Sequence, residues 1–305
     1  MTLPLSHYSP VFANKAWAKD DCYITYFSCE HTSSIKKSKA GKKQWGRKRG
    51  IYSQKVENSL GNNLESRAAL IYQKLLSFNE IDEAERKIWA QFILSQHVRT
   101  PSFMKYEKYA KNIHGITEEP KHDRVGCSDC GDLFFIANRN WCYLLAHEDD
   151  YFVRTDNPVF MSGFIERPET CIFYPLSPQI CFVACSMPEG WKALTNRPGE
   201  LCGYQLSKGG SLMINFYLAK SANNTLMLSP DHDGEIAETM FQHVLGIYPQ
   251  PPFSIHILSD LDEQKSAYES IRMIMSATDG IEYPLWSPEE LEPYHCSKEG
   301  TLLFS

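Results

Sequence analysis

The chain predicts an α+β fold: a central antiparallel or mixed sheet with a helical cluster packed on it. Three observations lead there. Residues 63–98 carry apolar residues at helical spacing, residues 133–185 hold a succession of short aromatic and β-branched runs, and helical periodicity returns only after 210. Strands and helices are thus segregated more than alternated, which favours α+β over a doubly wound sheet.

At 305 residues with 43% hydrophobic residues, the chain has ample material for a core, and a single domain over 1–305 is expected. Ten irregularly spaced cysteines do not read as the disulfide framework of a small secreted domain, and a reducing compartment would keep most as buried thiols. No start of the leader type is visible, and no stretch approaches the roughly 18 apolar residues of a bilayer crossing. A soluble, cytoplasmic protein with no membrane partner is the expectation.

Charge is distributed unevenly. Residues 1–60 hold 11 Lys and Arg against 4 Asp and Glu, net +7, so the rest of the chain carries −13. Most of the positive charge lies in KKSKAGKKQWGRKRG, residues 36–50, where eight of fifteen are Lys or Arg. Self-repulsion and three glycines read as a basic loop or arm over 33–50. Clustered cations of this kind release condensed counterions when they meet a phosphate backbone, so Lys42, Lys43, Arg47, Lys48 and Arg49 are candidate nucleic-acid contacts. The plain alternative is a solvated loop between two strands.

Taken in order, Cys22 to Cys29 (CYITYFSC) reads as a strand. Leu64, Ala68, Ile71, Leu75 and Phe78 lay an apolar stripe along a helix over 63–78, with Glu65 near its first turn. Asp82 with Glu85 three residues on forms a capping box for the next helix, which buries Ile88, Trp89, Phe92 and Ile93. That helix should stop near Arg99, since Thr100 precedes Pro101. A third, shorter helix is expected after Ser102. Strands are expected at LFFIA (133), WCYLLA (141), YFVRT (151), CIFYP (171) and ICFVAC (180), and helices at about 211–223, 234–245 and 260–277, before an irregular tail over 283–305.

Several polar residues stand where this periodicity buries them. Gln96 lies on the face of Trp89, Phe92 and Ile93, Arg99 extends that face by one turn, and Asp156 leaves an apolar strand. Buried polar groups need partners, because an unsatisfied one costs on the order of 1–3 kcal/mol. By itself Asp156-Asn157-Pro158 is a common exit from a sheet, since Asp and Asn tolerate turn geometry and Pro cannot continue the ladder.

HYSPVF (7–12), FILSQHVRTP (92–101), RTDNPV (154–159), YPLSP (174–178) and INFYLAKSA (214–222) together resemble the successive motifs of domain-of-unknown-function family 4238. The resemblance implies a shared polar centre of His7, Glu65, Gln96, Arg99, Thr155, Asp156, Asn157, Ser177 and Asn215, with no reaction attached to it. The opening departs from the family pattern, with Ser9 where Val is usual, and the basic segment is unusually rich in lysine.

One His, two carboxylates, an Arg and several amides are residue types used in phosphoester hydrolysis. In that hypothesis Asp156 and Glu65 hold Mg²⁺ or Mn²⁺, His7 moves a proton, Arg99 clamps the phosphate, Gln96 and Asn157 complete the catalytic set, and Asn215 joins the basic segment in binding substrate. The product would be a metal-assisted phosphodiester hydrolase, a nuclease of the toxin or phage-defence kind. The competing reading is a non-catalytic nucleic-acid- or protein-binding module in which the same residues form a structural network.

CSDCG places Cys127 and Cys130 as half of a zinc site, with Cys142 and His147 further on. Against this, Cys142 falls in an apolar run where a plain buried thiol is the default. Ser177 lacks the nucleophile elbow of a serine hydrolase and reads as a turn residue. His97 and His114 read as surface or packing histidines.

Overall fold

The computed structural model describes residues 5–29, 34–49, 57–58, 60–101, 103–104, 132–162, 165, 170–185, 202–232 and 234–247. The cysteine pair Cys127 and Cys130, His114, most of the third helix, the helix expected at 260–277 and the tail over 283–305 lie outside the described residues. The fold is α+β, and one of the two five-stranded sheets among the described residues is mixed. Five strands run in the order β11 (Cys202–Gln205), β6 (Asn140–Leu145), β10 (Ile180–Cys185), β9 (Ile172–Pro175) and β8 (Phe160–Met161). All neighbours are antiparallel except β11 and β6, which are parallel.

This sheet is buried on both faces, and strand alternation sorts its side chains between two cores. Trp141, Tyr143, Ile172, Tyr174, Phe182 and Ala184 face α2 (Ser66–Leu76) and α3 (Glu83–Val98). Cys142, Leu144, Phe173, Cys181 and Val183 face α5 (Gly210–Ser221) and α6 (Glu235–Ile247). That double burial is why these strands read in sequence as unbroken apolar runs.

A second sheet joins β2 (Ala18–Lys19), β3 (Tyr23–Ser28), β12 (Thr225–Met227) and β7 (Arg154–Thr155), with β4 (Lys36–Gly41) along the other side of β3. A third element pairs β1 (Leu5–His7) with β5 (Arg47–Arg49). The segment expected as a basic loop over 33–50 is therefore largely strand. Lys37 and Lys39 lie on one face of β4, with their ammonium groups 5.8 Å and 4.7 Å from the ring centres of Phe27 and Tyr23. Long aliphatic stems covering aromatic rings make a lysine strand tolerable.

Helix limits follow the caps. Asp82 Oδ1 accepts from the Glu85 N–H (2.8 Å) and Glu85 Oε2 from the Asp82 N–H (3.0 Å), a complete capping box. The α3 helix stops at Val98, with Arg99 as its C-cap. The α2 helix is preceded by a π-helical turn, Leu60–Glu65, and ends before Phe78, which has φ +55° and is largely exposed instead of continuing the apolar stripe.

Two expected strands are corrected. LFFIA belongs to α4 (Asp132–Ala137), because a five-residue apolar run fits either period. Arg86 of α3 completes this helix by donating Nε–H to the Ala137 carbonyl (2.7 Å), while its guanidinium lies over the Trp141 ring. Of YFVRT only Arg154–Thr155 is strand. Residues 151–153 carry no regular secondary structure, and the amide of Asn215 bonds to the Val153 N–H and the Tyr151 carbonyl.

No helix among the described residues is long and apolar enough to cross a membrane. Replacing Asp82 by Ala should cost about 1 kcal/mol of unfolding free energy through loss of the cap, read as a lowered urea midpoint with unchanged slope. An unchanged midpoint would show that tertiary packing alone sets the start of α3.

Candidate functional site

The end of α3 brings Gln96 and Arg99 together as their one-turn spacing requires. Arg99 is fully buried, and its Nη1 meets Glu65 Oε1 at 2.6 Å. With its amide oxygen facing the guanidinium, Gln96 accepts from Arg99 Nη2 (2.5 Å) and Nε (2.9 Å). Glu65, at the junction of the π turn and α2, keeps about a fifth of its side chain exposed. The α2–α3 pair thus closes over a charge-assisted pair whose carboxylate end reaches solvent.

Asp156 follows β7 and is almost wholly buried. Its Oδ1 accepts from the Asn223 N–H (2.8 Å), and its Oδ2 accepts from those of Asn224 (2.9 Å) and Thr225 (3.2 Å). The carboxylate therefore caps the turn between α5 and β12. Burial pushes its pKa up to about 6, and the three backbone donors pull in the opposite direction without cancelling that rise.

The neighbouring amides are equally engaged. Asn157 Nδ2 donates to the Ser221 carbonyl (2.5 Å), and the Thr155 hydroxyl donates to the Asn157 carbonyl (2.6 Å). Asn215 accepts from the Val153 N–H (2.9 Å) and donates to the Tyr151 carbonyl (2.6 Å). Asn215, expected as a substrate contact, thus has both amide atoms committed to the backbone. Ser177 accepts from the N–H groups of Gln179 and Ile180, as a turn serine does.

The HYSPVF motif links these parts. His7 lies on β1, opposite Arg47 of β5, with Nδ1 3.4 Å from Glu57. Tyr8 donates its N–H to the Gly46 carbonyl (2.9 Å), its ring lies 6.1 Å from that of Trp45, and burial together with the charge of Asp156 raises its pKa. Ser9, where Val is usual, donates to Asn14 Oδ1 (2.7 Å). Phe12 packs on Tyr72 of α2 and Phe92 of α3. Gly46 is required at its turn: its φ is +74°, and a Cβ there would lie 2.6 Å from that of Ser9.

Glu65 and Asp156 do not fit a shared divalent cation. One carboxylate is engaged by Arg99, the other accepts three backbone N–H groups, and among the described residues no cluster of three or more His, Cys, Asp and Glu side chains forms a ligand set. Cys142 is a buried thiol outside any disulfide among the described residues. His97 is buried and packs edge-on against Phe103. Lys42 is tied to Asp21, whereas Lys43, Arg47, Lys48 and Arg49 are exposed.

Sequence reasoning missed Arg154. Its guanidinium is wholly buried, donates to the Pro175 carbonyl (2.9 Å) and to the Tyr174 hydroxyl (2.8 Å), and lies 5.4 Å from the Trp17 ring centre. The available signal was a cation inside the otherwise apolar run YFVRT.

Because the folded state holds the Asp156 proton more tightly than the unfolded chain, Asp156 contributes most to stability below pH 4 and loses that contribution as pH rises through about 6. The unfolding free energy of the wild type minus that of Asp156→Asn should fall by on the order of 3 kcal/mol between pH 4 and 7. Urea titrations at each pH would measure it, and a difference that grows with pH would contradict the burial argument.

Comparison with curated proteins and with solved structures returns no match. A family profile does match, over residues 6–124, a stretch that includes HYSPVF, Glu65 and the Gln-x-x-Arg-Thr-Pro turn, while the later motifs lie beyond it. Over that stretch the chain is similar to the family described as Protein of unknown function (DUF4238).

Proposed function

We propose that the protein binds nucleic acid through the β4–β5 segment, and that the buried network of Glu65, Gln96, Arg99, Asp156, Asn157 and Asn215 is the scaffold holding that segment to the body. One observation carries this reading: seven of the eight Lys and Arg side chains between 36 and 49 are exposed, six of them on strands anchored to β3 and β1 and Lys43 in the turn between. A charged segment held in register has already lost most of the conformational freedom it would otherwise surrender on binding. Lys37 and Lys39 stand about 6.8 Å apart along their strand, twice the roughly 3.4 Å rise per phosphate in one strand of B-DNA.

Trp45, the one aromatic residue in the segment, is buried against Trp17, Ile24 and Met227. The segment therefore offers charge and not a stacking ring, which favours backbone contact without sequence preference. The scaffold reading of the network is supported by the occupancy of its polar atoms, with the Asp156 and Asn215 side chains both spent on backbone groups.

Fluorescence anisotropy with labelled DNA and RNA at 50, 100 and 200 mM salt should show affinity falling steeply as salt rises. The Arg47→Ala, Lys48→Ala, Arg49→Ala triple variant should lower the log–log salt slope by about 2 to 3. Equal affinity in that variant, or no binding at low salt, would reject the proposal. Shortened products formed in Mg²⁺ or Mn²⁺, and abolished by Asp156→Ala, would replace it with the phosphodiester-hydrolase reading.

A further inference from the structure

Arg154 holds a guanidinium wholly out of contact with water. Its hydrogen-bond acceptors are both neutral, the Pro175 carbonyl and the Tyr174 hydroxyl, and among the described residues no Asp or Glu forms an ion pair with it. Its Nε–H and the Nε1–H of Trp17 are buried donors without an acceptor among the described residues. The guanidinium lies 4.7 Å from the ring centre of Tyr174 and 5.4 Å from that of Trp17.

Such an arrangement is expensive if it serves packing alone. A buried ion costs several kcal/mol unless it is paired, and apolar residues of similar volume are often at least as stable in its place. Ring faces recover part of this cost but do not satisfy a donor. Among the described residues, Tyr174 feels the charges of both Arg154 and Arg99, and the carboxylate acting on it is Glu65.

We infer that Arg154, with Trp17 and Tyr174, forms a buried receptor for the phosphoryl oxyanion of a small ligand, approached from the side where Glu65 meets solvent. A phosphoryl group presents several acceptor oxygens in different directions, which suits donors arriving from β7, from β9 and from the turn before β2. A guanidinium edge matches two of those oxygens at once. Burial keeps the Tyr174 phenol protonated, so its O–H remains available as a donor while its oxygen accepts from Arg154. The inference is independent of the nucleic-acid reading, since it uses none of the β4–β5 cations.

Scanning calorimetry at fixed ionic strength tests it, with inorganic phosphate, phenyl phosphate, acetate and chloride as the added anions. The melting temperature should rise saturably with inorganic phosphate and not with acetate or chloride. A matching response to phenyl phosphate would assign the terminal group of a larger ligand, and its absence would assign the free ion. Arg154→Met should abolish the response, while the Arg47, Lys48, Arg49 triple alanine variant should retain it. Should Arg154→Met fail to fold, Glu65→Gln decides: removal of the facing carboxylate should tighten apparent phosphate affinity by about three- to tenfold. A phosphate effect no larger than that of chloride, an equal effect of acetate, a response that survives in Arg154→Met, or an unchanged affinity in Glu65→Gln would each overturn the inference.

Discussion

The exit from β7 has to bury a carboxylate, and three consecutive backbone N–H groups of residues 223–225 meet it there. Much of the architecture follows from that contact. It sets where α5 ends and β12 begins, and so which residues of β12 pair with β3 and β7. Because β12 lies between those two strands, a chain segment from the first thirty residues and one from the middle share a sheet only through it. Desolvation makes the contact costly, and its stringency is what allows it to specify one register.

The same strand end connects the two large sheets. Thr155 pairs with Leu226 in one sheet, while the Arg154 side chain reaches the Pro175 carbonyl and the Tyr174 hydroxyl at the end of β9 in the other. The N-terminal motif reaches both regions and the helices as well, with Tyr8 near Asp156, Phe12 between α2 and α3, and the chain around Ser9 crossing under Gly46. Short motifs scattered along the sequence are thus joints between layers. This accounts for polar residues in them being buried and engaged by backbone partners.

Signals that act within one turn or one strand were legible. The Asp82–Glu85 box, the stop at Thr100-Pro101 and the existence of β6, β9 and β10 as strands follow from spacing and residue type. Gln96 and Arg99 could be placed together because helix geometry alone does so. What could not be read depends on partners remote in sequence. Nothing local indicates that Asn215 pairs with residues 151–153, that Asp156 accepts from 223–225, or that Arg154 finds neutral acceptors on β9. The lysine strand was missed for a related reason: strand propensity in isolation disfavours it, and the aromatic residues of β3 that support it become neighbours only after pairing.

Among the described residues β4 pairs on one side only, which leaves a row of backbone donors and acceptors at the rim of its sheet. Lysines on such a rim discourage another strand from adding there, since two copies would bring like charges together. That protection is electrostatic and therefore conditional. Acetylation of Lys36, Lys37 and Lys39, or a polyanion wrapped along them, would leave a neutral and regular ribbon edge, open to association between molecules through their main chains.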